Sequence, residues 1–217
     1  MAGIEGREIP ATTAKTNAQS RTGRGEEERN ELCAAAAAAT PDEIESHNFQ
    51  FGLREQIVYH AMREQALARL SRFLTGLQVF LGTSAIASMA DFFPGWEVAL
   101  VTSSALAGVM LLVIDPAGAA RDHRALRSRF HNIFADLEEG SGDTISLRTL
   151  KARKERIMAD APPAYRGVQA VAYNAAVNAT YEEAEAARHR YKIGRLRRTF
   201  ANWLPMRGFT FEKEIKG

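Results

Sequence analysis

The chain has 217 residues and sets 28 Lys and Arg against 26 Asp and Glu, a formal charge of +2. A balance so near neutral excludes a large single-sign field for recruiting a polyanion. With 46% hydrophobic and 25% charged residues, the composition also excludes a wholly disordered, collagenous or many-span membrane chain. The average conceals one lump: from Phe73 to Ile114, 42 residues hold two charges, Asp91 and Glu97.

Residues 1–40 combine Gly, Thr, Glu and Arg with almost nothing large and apolar. Such a segment cannot bury enough surface to offset the entropy of ordering, so a disordered polar tail is expected. The single cysteine, Cys33, allows no internal disulfide and no Cys-rich zinc site. The first 20 residues contain no apolar run, so no cleavable signal peptide is expected. Order should begin at Thr40, which offers an N-cap hydroxyl with Pro41 at the first helical position and Glu43 three residues on. From there Phe49, Leu53, Ile57, His60, Leu67 and Leu70 recur at helical intervals, predicting an amphipathic helix that feeds directly into the lump.

Inside the lump, Phe73 to Ala90 is an uncharged run of 18 residues and Val98 to Ile114 one of 17. At 1.5 Å per residue these measure roughly 25 to 27 Å, and Phe92, Phe93 and Trp96 extend them toward the ~30 Å hydrocarbon thickness. Pro94 and Gly95 read as a turn between them. The pattern predicts a helical hairpin with spans at about 73–92 and 96–114. A hairpin buried inside a soluble helical domain is the competing arrangement, because the runs include Gly76, Gln78, Thr83, Ser84, Ser88 and Ser103. Charge placement favours the membrane. Arg54, Arg63, Arg69 and Arg72 precede the first run, Arg121, Arg124, Arg127 and Arg129 follow the second, and the loop between carries no Lys or Arg. This is the positive-inside pattern, with both termini cytoplasmic.

Beyond the hairpin, Asp115 and Pro116 open a helix whose stripe is Ala119, His123, Leu126, Phe130, Phe134 and Leu137. A basic helix is expected from about Ile145 to Asp160, ending before Pro162 and Pro163. Another should run from about Ala164 to Lys192, with Val168, Ala172, Ala175, Ala176 and Ala179 on a small-residue face. The fold class is therefore all-α: a two-helix transmembrane hairpin carrying a cytosolic antiparallel helical bundle.

Two stretches together resemble a known family. They are Ala119 to Phe130, containing His123, and Arg156 to Tyr165, containing Pro163, with Asn174 further on. Joined to the two-span hairpin between Arg-rich helices, they resemble the SLATT superfamily, two-transmembrane effectors associating with SMODS nucleotidyltransferases and SLOG domains. The resemblance covers roughly residues 45–192, within a domain read as 41–192. It implies a bacterial inner-membrane effector of anti-phage or nucleotide-signalling conflict systems that oligomerises and opens or perturbs the membrane, with a nucleotide-signalling or sensor protein as partner. The long polar tail departs from a minimal member.

No convergent catalytic or metal-binding constellation is visible. The five histidines are scattered, and there is no His-Glu-x-x-His pattern, phosphate loop or nucleophile elbow. No enzymatic activity, cofactor or specific nucleic acid is expected. The polar residues of the spans are more informative. Ser71, Thr75, Gln78 and Gly82 fall within about 60° on the first helix, and Glu97, Ser104, Gly108 and Asp115 share one sector of the second. Such stripes face protein or water, either as close helix contacts or as the lining of a pore made by several hairpins. Residues 193–217 carry six basic against two acidic groups, interleaved with Ile193, Leu196, Phe200, Trp203 and Leu204. This basic amphipathic segment suits anionic lipid headgroups, with a solvated face or a nucleotide-binding surface as alternatives. A non-conducting membrane scaffold or sensor that recruits a cytosolic partner is the alternative function.

Overall fold

A computed structural model describes residues 40–82, 95–140, 146–206 and 208–214. The expected tail up to residue 39, the upper part of the first span and the loop from Asp91 to Pro94 lie outside the described residues. The chain divides into two units, Met1–His47 and Asn48–Gly217. In the first, Thr40 Oγ1 accepts from the Glu43 N–H at 3.3 Å, while Glu43 Oε2 accepts from the Thr40 N–H at 2.7 Å. This is the reciprocal cap that the Thr-x-x-Glu spacing predicts. The Thr40 N–H and the Thr40 hydroxyl both donate to the Glu43 carboxylate and hold its pKa below the usual value.

The described residues are mostly helical. Helix α1 (Pro41–Gly82) is followed by α2 (Glu97–Ile114), α3 (Pro116–Glu139), α4 (Leu147–Asp160), α5 (Arg166–Thr180), α6 (Glu183–His189) and α7 (Arg195–Phe200). Among these residues the only β pairing is an isolated bridge between Tyr191 and Lys213.

The core of the second unit forms where apolar stripes meet. Phe49 and Leu53 of α1, Leu126, Phe130 and Ile133 of α3, and Leu150 and Ile157 of α4 make one cluster. Tyr59, Val168, Ala172 and Ala201 make another, between α1, α5 and the segment after α7. Ion pairs Arg129–Asp160, at 3.1 Å, and Arg153–Asp136 join α3 to α4 at the surface. Asp115 alone separates α2 from α3. It sits in the left-handed region, which Asp tolerates, and its carboxylate accepts from the Gly118 N–H at 2.9 Å.

One element departs from its expectation. The helix expected over Ala164–Lys192 is two helices, because the backbone turns extended at Tyr181 and Glu182. Tyr181 stacks on His189 at 5.1 Å and lies 6.4 Å from Phe51, while Ala186 is buried. Tertiary packing folds α6 back onto α5, overriding an alanine-rich stretch with good helix propensity. Asn174, on α5, then holds the next turn from both edges. Its Nδ2 donates to the Tyr191 carbonyl and its Oδ1 accepts from the Tyr191 N–H, each at 2.8 Å.

Candidate functional site

Four polar side chains are buried among the described residues: His60, Arg63, Glu64 and His123. All lie where α1 and α3 pack, some ten residues before the apolar part of α1 begins. His60 and His123 stand on the stripes that helical periodicity turns inward, so core packing brings them face to face. Their Nδ1 atoms are 2.8 Å apart, one donating and the other accepting. Phe130 stacks on His60 at 5.5 Å and Tyr59 meets both rings edge-on.

Both imidazoles are held neutral. Burial pushes the His60 pKa down to about 4, with the charge His123 would carry adding to the effect. Burial, then the Arg63 guanidinium, push His123 down to about 4 against the opposing pull of Asp122 and Glu64. With both rings neutral, one Nδ1 carries a proton and the other offers its lone pair; two protonated rings would set donor against donor.

Arg63 is fixed from two sides. Its guanidinium lies 3.9 Å over the Tyr165 ring and donates to the Asn202 carbonyl at 2.6 Å, leaving its Nε without a partner. The Tyr165 N–H in turn donates to the Tyr59 hydroxyl at 3.1 Å. Burial raises the pKa of that hydroxyl. Glu64 accepts from Arg124 at 2.7 Å and faces Arg127 at 3.2 Å. Beside this junction a cavity of about 740 Å³ is lined by Tyr59, Arg63, Leu67, His123, Pro163, Tyr165 and Pro205, among others.

These contacts sort the residues singled out by sequence. Arg63, one of the arginines that set the topology in the sequence reading, has a buried side chain. Arg124 and Arg127 are engaged with Glu64, whereas Arg69, Arg72 and Arg121 are exposed. His123, Pro163 and Tyr165 converge on one cavity, and Asn174 acts elsewhere as the clamp on Tyr191. Of the residues expected in the spans, the structure brings together Gln78 and Gly108. A Cβ on Gly108 would stand 3.0 Å from the Gln78 amide nitrogen, so the glycine makes room for it. Thr75 is exposed and Ser104 half-buried; the side chains of Gly82 and Glu97 lie outside the described residues. Sequence spacing missed the His60–His123 pair because it tested histidines along one helix at a time. Their place on two inward stripes was the available signal.

Toward the other end of the molecule the surface changes character. The helical run Val98–Glu139 contains an 18-residue stretch with a mean hydropathy of 2.1, of which 6% is buried. Leu112 is 84% exposed, and Val98, Val101, Leu106, Val109 and Val113 are exposed around it. At the end of α1, Phe73, Val79 and Phe80 are exposed as well. Among the described residues this is the one helix long and apolar enough to cross a membrane. No family model matches the chain, and no curated protein or solved structure is significantly similar to it.

Proposed function

We propose that the protein is a two-span inner-membrane effector, with both termini cytoplasmic and a cytosolic antiparallel bundle that controls the hairpin. The single observation that carries the membrane placement is the exposure of the apolar stretch after Val98, of which 6% is buried. The core helix of a soluble domain hides its apolar residues, while a lipid-facing helix displays them. The close approach of the Gln78 amide to Gly108 supports a hairpin in which the two apolar helices touch.

Coupling follows from continuity. Helix α1 runs without a break from the histidine junction into the apolar region, and α3 follows α2 across the single residue Asp115. His60 meets His123 while Leu67 shares a cavity with Ala119, so α1 and α3 run in opposite directions. A change in their packing turns the apolar helices as rigid extensions. One hairpin cannot enclose an aqueous path, so membrane opening requires several copies. The anti-phage or nucleotide-signalling setting rests on the resemblance to SLATT effectors.

Expression in a bacterial host tests this reading. Induction of the wild-type chain is expected to place it in the membrane pellet, collapse membrane potential and arrest growth. A Gln78→Leu, Ser104→Leu double variant is expected in the same pellet without either effect. Recovery of the wild-type chain in a detergent-free high-speed supernatant refutes the membrane placement, and undiminished leakage in the double variant refutes a polar pore lining. The contact of Gln78 with Gly108 favours a second reading, a non-conducting scaffold whose polar stripe only joins its own helices. It predicts membrane insertion with an intact potential.

A further inference from the structure

We infer that residues 195–206, together with Phe209, are a platform that docks on the anionic lipid headgroups of the cytoplasmic leaflet, an inference that rests on the membrane reading above. The segment is anchored to the second unit at three points. Ala201 is buried against Tyr59, Val168 and Ala172. The Asn202 carbonyl is held by Arg63 at 2.6 Å. Gly167 lets the segment approach α5: a Cβ there would lie 2.9 Å from Met206 Sδ and 3.2 Å from Ala201 Cβ. Between and beside these anchors Leu196, Phe200, Trp203, Leu204 and Phe209 are all exposed, and every residue of α7 is exposed. A segment pinned this firmly whose large apolar side chains still point outward is built to meet a surface.

Charge and position select the surface. From Ile193 to Phe211 the sequence contains arginines and no Asp or Glu. Arg197 lies 5.2 Å over the Phe209 ring, tying the end of the segment to α7 and keeping cation and aromatic side by side. Arginine interleaved with Trp, Phe and Leu is the composition of an interfacial element on anionic lipid. The anchors also fix the height. Arg63 precedes Phe73, the start of the apolar run, by ten residues, about 15 Å of helix, and Leu67, which shares a cavity with Pro205, by six, about 9 Å. The headgroup layer adds about 5–7 Å outside the hydrocarbon. An extended Trp or Arg side chain covers much of the remainder, and its charge acts across a Debye length of about 8–10 Å.

Two tryptophans, Trp96 and Trp203, make the test direct. The full chain carrying Trp96→Phe is reconstituted into phosphatidylcholine vesicles, with or without about a third phosphatidylglycerol, using lipid brominated at shallow acyl positions. A companion chain carrying Trp203→Phe reports the hairpin through Trp96. The expected result is Trp203 quenching at least about threefold stronger in the anionic vesicles, with Arg195→Glu plus Arg198→Glu returning it to the phosphatidylcholine level. Quenched Trp96 with unquenched Trp203 overturns the platform and leaves the hairpin standing, whereas quenched Trp203 with unquenched Trp96 does the reverse. Equal quenching in both lipids refutes anionic recognition. A Trp203 untouched by lipid yet shielded from acrylamide means that protein, such as a second copy of this chain, covers the face, and this too overturns the proposal.

Discussion

His60 and His123 are neutral because burial disfavours a charged imidazole, an effect that His123 adds to at His60 and Arg63 adds to at His123. The sign of the pH dependence follows. With folded pKa values of about 4 against 6.5 for an unperturbed imidazole, the unfolded chain binds more protons in between. Stability from the pair is complete above pH 6.5 and declines as the pH falls toward 4. At pH 5 the loss is about 2 kcal/mol for each histidine treated separately. Thermal unfolding followed from pH 7.5 to 4.5 should show this decline, and His123→Leu should roughly halve its slope. Arg63 makes a different prediction. Arg63→Met removes the hydrogen bond to Asn202 and the stacking on Tyr165, a loss of about 2–4 kcal/mol. The released segment should then be cut by trypsin at Arg195, Arg197 and Arg198 well before the rest of the chain, which limited proteolysis reads directly. The sequence placed His60 and His123 on inward stripes but left their meeting unread, because residues 63 positions apart come together only through helix packing.

Helices whose boundaries rest on local chemistry are those legible beforehand. Thr40 and Glu43 cap α1 through contacts three residues apart, Asp115 and Pro116 start α3, and Pro162 and Pro163 follow α4. The division of α5 from α6 was not legible, since Tyr181 leaves the helix to meet Phe51 and His189. Two substitutions separate these levels. Phe130→Ala, at the centre of the cluster joining α1, α3 and α4, should destabilise by about 3–5 kcal/mol in chemical denaturation. Asn174→Ala should cost about 1–3 kcal/mol, and hydrogen exchange should quicken around Tyr191 while α3 and α4 keep their protection.

Taken whole, the molecule joins a helical unit with ordinary buried clusters to an apolar helix that buries almost nothing. Its net charge of +2 is a cancellation between an acidic excess up to residue 48 and in the apolar run, and a basic excess in the intervening helices and the C-terminal segment. The placement of those charges, more than their sum, motivates the membrane reading. Detergent-free centrifugation after a carbonate wash should retain the chain in the pellet. Adding Arg at Leu112, the most exposed apolar position of α2, should reduce insertion by about 2.5–3.5 kcal/mol at the helix centre and less toward its end, read as the membrane fraction of a glycosylation-tagged chain.

By itself the sequence determined that the described residues are mostly helical, where the capped helices start, which faces turn inward and where charge is missing. Those properties depend on residues within about two helical turns of one another, so periodicity and capping report them. Only the tertiary structure decided that Arg63 is an internal residue, that two distant histidines share a proton, that α5 and α6 are separate, and that the basic C-terminal segment is pinned by Ala201, Asn202 and Met206. Each depends on contacts between residues far apart in the chain, where burial and partner geometry outweigh local propensity.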